Sequence, residues 1–259
     1  MNTPSTDAPT KFLIITRGRT GSNFLLSLLD SHPLIFHWGE IIGEWKMRND
    51  DLKKEIIDLD PVRYIKQCYD VRHVKKHKKS RSHITAIGAK VLYHQFKPDY
   101  ESKWAIPGLA KVFDFFKSNQ DMKVIHIKRR NKLKTLVSEK LAHQTQQYTL
   151  KTEADRASEV VIELHKPQCN KVFNEISRLE KKYDRIFGQH DFLEVYYEDL
   201  VSDRVNMVHR ILDFLQTPQE PLESKMLRQN TRTLPEVIKN YARLKDKFTD
   251  TPWASYFEE

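Results

Sequence analysis

The chain has 259 residues, 39% hydrophobic and 31% charged, a mix that excludes wholesale disorder and suffices for one full α/β domain, or two by length alone. Its 44 Lys and Arg against 35 Asp and Glu leave a net charge of +9, which suits nucleotides, nucleic acids, sulfated or phosphorylated sugars or anionic membranes without choosing among them. Two cysteines, Cys68 and Cys169, exclude a disulfide framework and a Cys/His zinc spacing, and no apolar run approaches the roughly 18 residues of a membrane span.

Met1–Thr10 is polar, holds two prolines and lacks an apolar leader core. We therefore expect a flexible tail over residues 1–10, a single domain over 11–259 and a cytoplasmic soluble protein with reduced thiols. The first element is the apolar run Phe12–Thr16, expected to be a buried strand. It runs into Thr16-Arg17-Gly18-Arg19-Thr20-Gly21-Ser22-Asn23-Phe24, which holds two of the seven glycines, and then into the helical face Phe24, Leu25, Leu28 and Leu29. A strand, a small cationic glycine turn and a helix N-terminus are how α/β proteins hold phosphate: backbone N–H groups point at the anion and the helix dipole favours negative charge. The turn is not an ATP/GTP loop. That motif, G-x-x-x-x-G-K-[ST], needs a longer glycine spacing and a lysine, whereas two residues separate Gly18 from Gly21, and Asn23 and Phe24 follow Ser22.

Next comes Phe36-His37-Trp38-Gly39-Glu40, then a dense basic block over Arg72–His83. The block suits a nucleic-acid patch, a funnel for anionic substrate or a solvated loop, but lacks interleaved aromatics for stacking bases. Further strands are expected at Ile84–Gly88, Val124–Lys128 and Phe192–Tyr197. Helical stripes run through Leu133–Leu141, Val172–Tyr183 and Val208–Leu215. Pro167 is expected to divide the helical stretch Ala154–Phe187. Strands alternating with helices predict an α/β fold: a three-layer, P-loop-like arrangement with a central, mainly parallel sheet and ligands at the carboxyl ends of its strands. Arg129 and Arg130 end the Val124–Lys128 strand, Asn131 is suited to start a helix, and Ser138 lies two turns along it. Arg130 and Ser138 are thus expected to face one phosphate, making a second anion site.

These residues resemble sulfotransferases that use 3′-phosphoadenosine 5′-phosphosulfate (PAPS). Thr16–Phe24, with Leu29-Asp30-Ser31-His32-Pro33 and Gly39-Glu40, resembles their first signature, and Arg130–Ser138 their second. Tyr197-Glu198-Asp199-Leu200 and the tail from Gln229-Asn230-Thr231 to Thr251-Pro252-Trp253 are similar to the bacterial carbohydrate and glycolipid branch that includes the nodulation-factor and trehalose enzymes. The resemblance is specific over 12–40 and 123–142, weaker over 84–98, 193–215 and 227–253, and fades over 44–83 and 143–190.

The resemblance implies sulfuryl transfer from PAPS, with 3′-phosphoadenosine 5′-phosphate (PAP) as product and no metal required. The acceptor would be a hydroxyl or amine of a small molecule, saccharide or glycolipid. It implies that Arg17, Gly18, Arg19, Thr20, Gly21, Ser22, Asn23 and Phe24 hold the donor, with Arg19 beside the transferred group and Phe24 where relatives often carry tryptophan. Arg130 and Ser138 would bind the 3′-phosphate. Glu40 is the expected base, with His32, His37, Glu44, His94 and His126 as rivals, and Lys90 is expected beside the sulfuryl oxygens. Trp38, Tyr93, His94 and Gln95 are expected to shape the acceptor pocket. A homodimer is compatible with the sequence. A kinase with an unusual loop and a basic nucleic-acid-binding protein are the rival readings. Metal-dependent ATP binding would mark the first, and tight, steeply salt-dependent binding to DNA or RNA the second.

Overall fold

The computed structural model describes residues 8–43, 60–77, 83–96, 108–150, 152–155, 160–227 and 229–258, without the side chains of 75–77 and 155. Residues 1–7 of the expected tail, Glu44 and residues 78–82 of the basic block lie outside the described residues.

Strand β1 (Thr10–Thr16) lies at the centre of the sheet. Its apolar run is continuous because both of its faces are covered. Phe12 and Ile14 enter one core and Leu13 and Ile15 the other, all four fully buried. Helix α1 (Ser22–Ser31) and strand β2 (Ile35–Glu40) follow, then α2 (Pro61–Cys68) and α3 (Val71–His77). Strand β3 (Ala86–Leu92) leads through α4 (Leu109–Ser118) to β4 (Lys123–Lys128). Helices α5 (Lys132–Thr145) and α6 (Lys166–Phe187) precede β5 (Phe192–Tyr196), and α7 (Tyr197–Ser202) and α8 (Arg204–Phe214) complete the layer over α1.

The five strands are parallel and ordered β2-β3-β1-β4-β5. The chain leaves β1 toward β2 on one side, and β3 later passes over β1 to β4 on the other. The carboxyl end of β1 is therefore the switch point of the sheet, where α/β folds open a crevice. The expected three-layer parallel architecture is the one observed. One core packs α1 and α8 on the sheet, a second packs α2, α4 and α6, and a third joins α5 and α6 to the carboxyl-terminal residues around Phe248 and Phe257.

Three local expectations shift. The strand β2 was not among those expected. Only Ile35 and Phe36 are buried, and its register with β3 slips between His37 and Glu40, beside Gly39 at φ 63°. The strand expected over Ile84–Gly88 begins later and runs on to Leu92, taking in Lys90. A lysine interrupts an apolar pattern, yet here it is 2% exposed and paired with a carboxylate on β2. Pro167 opens α6 in its first turn, where its missing N–H costs nothing.

Candidate functional site

At the switch point the chain turns through Arg19 at φ 70° and Gly21 at φ 84°. Gly21 is required twice over. A side chain is strained at that φ, and an added Cβ would sit 2.2 Å from the Tyr197 ring. Thr20 is buried, and its hydroxyl lies 2.9 Å from the Arg17 carbonyl and 2.5 Å from the Thr16 hydroxyl. The Thr16 hydroxyl in turn lies 2.7 Å from the carbonyl of Ile127 on β4. The threonines thus close the turn from inside and tie it to the sheet. No side chain caps α1 and no acidic residue lies in its first turn, so its amino end keeps its dipole and donors for an anion.

A pocket of about 360 Å³ opens beside this turn. Arg19, Gly21, Ser22, Asn23 and Phe24 form one wall, Arg129, Lys134 and Ser138 a second, Tyr197 and Val201 a third. Residues 148–150 and Met226, Leu227, Gln229, Asn230 and Arg232 complete it. Gly18, Arg17 and Thr20 do not line it.

The basic residues divide sharply. Arg17 is tied to Glu139 at 2.7 Å. Arg130 grips Asp199 with two hydrogen bonds of 2.5 and 2.8 Å and stacks 4.0 Å from the Tyr196 ring centroid, half-exposed and outside the pocket. Arg19 is different. Its Nε donates to Ser138 Oγ at 3.0 Å, one terminal nitrogen to the Tyr148 carbonyl at 2.8 Å, and the other to the Gln229 side-chain oxygen. Every one of these acceptors is neutral. Burial, and after it the neighbouring Arg129, lowers the Arg19 pKa from its usual value. Arg129 lies 4.9 Å from the Tyr197 ring centroid and donates to the carbonyls of Arg19 and Lys134. Asn131 caps α5 as expected, its side chain accepting from Lys134 N at 2.9 Å, which sets Ser138 on the pocket face. Ser138 and Arg19 thus share the pocket, while Arg130 points to Asp199.

A second cluster lies behind Asn23. Lys90 Nζ is 2.9 Å from Glu40 Oε1 and donates to Asn23 Oδ1 at 2.6 Å. Gln95 donates to the other Glu40 oxygen at 3.4 Å. Burial lowers the Lys90 pKa, Glu40 opposes that, and the charge of Arg19 adds to it. Glu40, Lys90 and Asn23 are therefore brought together, and Asn23 joins them to the pocket.

The remaining candidates are placed apart. Trp38 donates to the Cys68 carbonyl at 2.6 Å and packs edge-on to Phe36, fastening α2 to β2. Tyr93 is 3% exposed, with its hydroxyl on His126. His94 is half-buried on the 3-10 turn Tyr93–Phe96. Of the rival bases, His32 contacts the Pro218 carbonyl and His37 the Leu26 carbonyl, while His126 meets Asp184. The sequence reading missed Arg129 as a pocket residue, along with Tyr148, Met226, Leu227 and Arg232. Arg129 was visible only as the neighbour of Arg130, and the others lie in stretches without periodicity.

The sulfotransferase family matches residues 11–221. Nodulation protein H of Rhizobium tropici is 28% identical over 98% of this chain and 95% of its own length. Nodulation protein H of Rhizobium meliloti is 28% identical over 99% and 98%. A solved sulfotransferase from Alicyclobacillus acidocaldarius is 15% identical with a TM-score of 0.48, covering 97% of this chain and 95% of its own. With a family match over most of its length, including all five strands and the turn after β1, the chain belongs to the sulfotransferase family.

Proposed function

We propose that the chain moves a sulfuryl group from PAPS to a hydroxyl or amine of a small-molecule, saccharide or glycolipid acceptor, by in-line transfer and without a required metal. The observation that carries this reading is Arg19: a buried guanidinium facing a nucleotide-sized pocket, whose hydrogen-bond acceptors are all neutral. A cation with such partners is suited to an anionic ligand. Arg129, Ser138 and the amino end of α1 face the same space and fit a ligand with phosphates at two ends.

In this reading Arg19 and the amides of residues 20–23 stabilise charge developing on the leaving oxygen. Arginine serves by electrostatics, because its pKa is too high for it to give up a proton readily. A loose transition state, by analogy with phosphoryl transfer, makes such stabilisation the main task. Ser138 and Arg129 take the 3′-phosphate, and Arg130 joins them by exchanging Asp199 for the ligand. Glu40 takes the acceptor proton. Lys90 holds the Glu40 carboxylate in place and puts a cation between it and the loop.

Calorimetric titration with PAP in EDTA, and with ATP plus Mg²⁺, tests the reading. PAP should bind without metal, and Arg19→Ala should weaken it at least tenfold by removing a charged hydrogen-bond donor. Binding of ATP with Mg²⁺ in preference to PAP would overturn it. Labelled PAPS offered with saccharide, phenol and amine panels then identifies the acceptor class.

A further inference from the structure

After α8 the chain runs back along α1 as a segment, from Pro218 to Leu227, that forms no strand. Glu223 and Lys225 are exposed, yet their backbone donors still find side-chain partners. Helix α1 supplies them in order. The His32 ring lies 3.0 Å from the Pro218 carbonyl. The Glu223 N–H donates to Ser31 Oγ at 3.1 Å, and the Lys225 N–H to Ser27 Oγ at 2.9 Å. Serines four apart share one face of a helix, so the two hydroxyls form a rail. Ser31 donates its own proton to the Leu28 carbonyl at 2.6 Å, which leaves its oxygen free to accept from the segment. Mid-helix serine is a poor helix former, and here its polar group is used outside the helix.

Beyond the rail the Leu227 N–H donates to the Leu150 carbonyl at 3.0 Å and the Gln229 side chain spans Arg19 and the Gln147 carbonyl. Met226, Leu227, Gln229 and Asn230 then line the pocket. One wall of the pocket is therefore a strap laid on α1, with few apolar anchors besides Leu222.

We propose that Ser27 and Ser31 are positioning residues for nucleotide binding: they dock the strap so that Gln229 meets Arg19 and the pocket wall stays closed. This rests on the nucleotide reading of the pocket. Among the described residues the segment bonds to neither Glu40 nor Lys90, so its loosening should appear first in ligand retention.

The test is the double variant Ser27→Ala/Ser31→Ala, with Ser27→Thr/Ser31→Thr as the hydroxyl-retaining control. Amide hydrogen exchange over 218–227 is measured without ligand, and PAP dissociation by stopped flow. We expect the alanine variant to lose protection at Glu223 and Lys225 and to release PAP about tenfold faster, the scale of two hydrogen bonds. Threonine should restore both. Retained protection in the alanine variant, or lost protection with unchanged PAP release, would overturn the proposal. A wild-type protein that binds no PAP overturns the nucleotide reading, and this proposal with it. A wild type that binds PAP while the alanine variant matches it overturns the strap alone.

Discussion

Lys128 and Arg19 are both cations at the carboxyl ends of neighbouring central strands, yet they are treated in opposite ways. Lys128 is 4% exposed and lies against two carboxylates, Asp184 at 2.8 Å and Glu194. Beside it His126 Nδ1 lies 2.8 Å from Asp184, and Nε2 meets the Tyr93 hydroxyl. An ionised carboxylate only accepts, so Nδ1 carries the proton and Nε2 accepts from Tyr93. That cluster is complete in itself and packs α6 onto the sheet. Arg19 donates to a serine, a carbonyl and an amide, none of them charged, and Glu139 acts on it only through space while paired with Arg17. The difference separates basic residues spent on structure from those that the proposed function assigns to a ligand.

The comparison is broken most severely at the proposed chemical centre. Glu40→Gln should lower PAPS turnover by about 10²–10⁴-fold, the range of a general base, with PAP affinity nearly unchanged. Steady-state rates and calorimetry together decide it, and normal turnover would falsify the base assignment. Next in size is the contrast between two sequence neighbours. Arg129→Ala should weaken PAP by tenfold or more, whereas Arg130→Ala should weaken it less, because Arg130 gives up Asp199 to reach the ligand. Equal losses would mean that this exchange costs Arg130 nothing.

On the structural side, Asp184→Ala takes one of two carboxylates from Lys128 and the Nδ1 partner from His126 in the sheet interior. Since Asp184 is itself a third exposed, the loss should be about 1–3 kcal/mol in denaturant unfolding, below that of a fully buried pair, with PAP affinity retained. The smallest effect is one of pH. Burial holds the His126 pKa below its ordinary 6.5, with Asp184 only partly opposing. The unfolded chain therefore takes up the proton first. His126 contributes its full stability above about pH 6.5, and that contribution is lost as pH falls from there toward the folded pKa. Melting temperature should decline across that window, and His126→Gln should flatten the decline.

Much of this was legible locally. Phe12–Ile15 announced a strand buried on both faces, Gly18–Gly21 a tight turn between strand and helix, and Asn131 the start of a helix, because run length, positive φ and capping are decided by neighbours in the chain. The strand β2 was hidden because His37, Trp38, Gly39 and Glu40 interrupt its apolar signal. The strand β3 was cut short because Lys90 reads as exposed until Glu40 is known to lie beside it.

The sequence by itself determined the strand–turn–helix core, its layered parallel sheet and the stretches rich in basic residues, all consequences of short-range spacing and hydrophobic period. Tertiary structure decided which cations are paired with carboxylates and which face the pocket. Arg129 and Arg130 differ by one position on an irregular turn, and only Asp199 on α7 and Tyr197 above the loop send them in different directions. It also decided that Met226, Leu227, Gln229 and Asn230 form a pocket wall. The strap lies on α1 through a hydrogen bond between Lys225 and Ser27, 198 positions apart, a contact that no local pattern encodes.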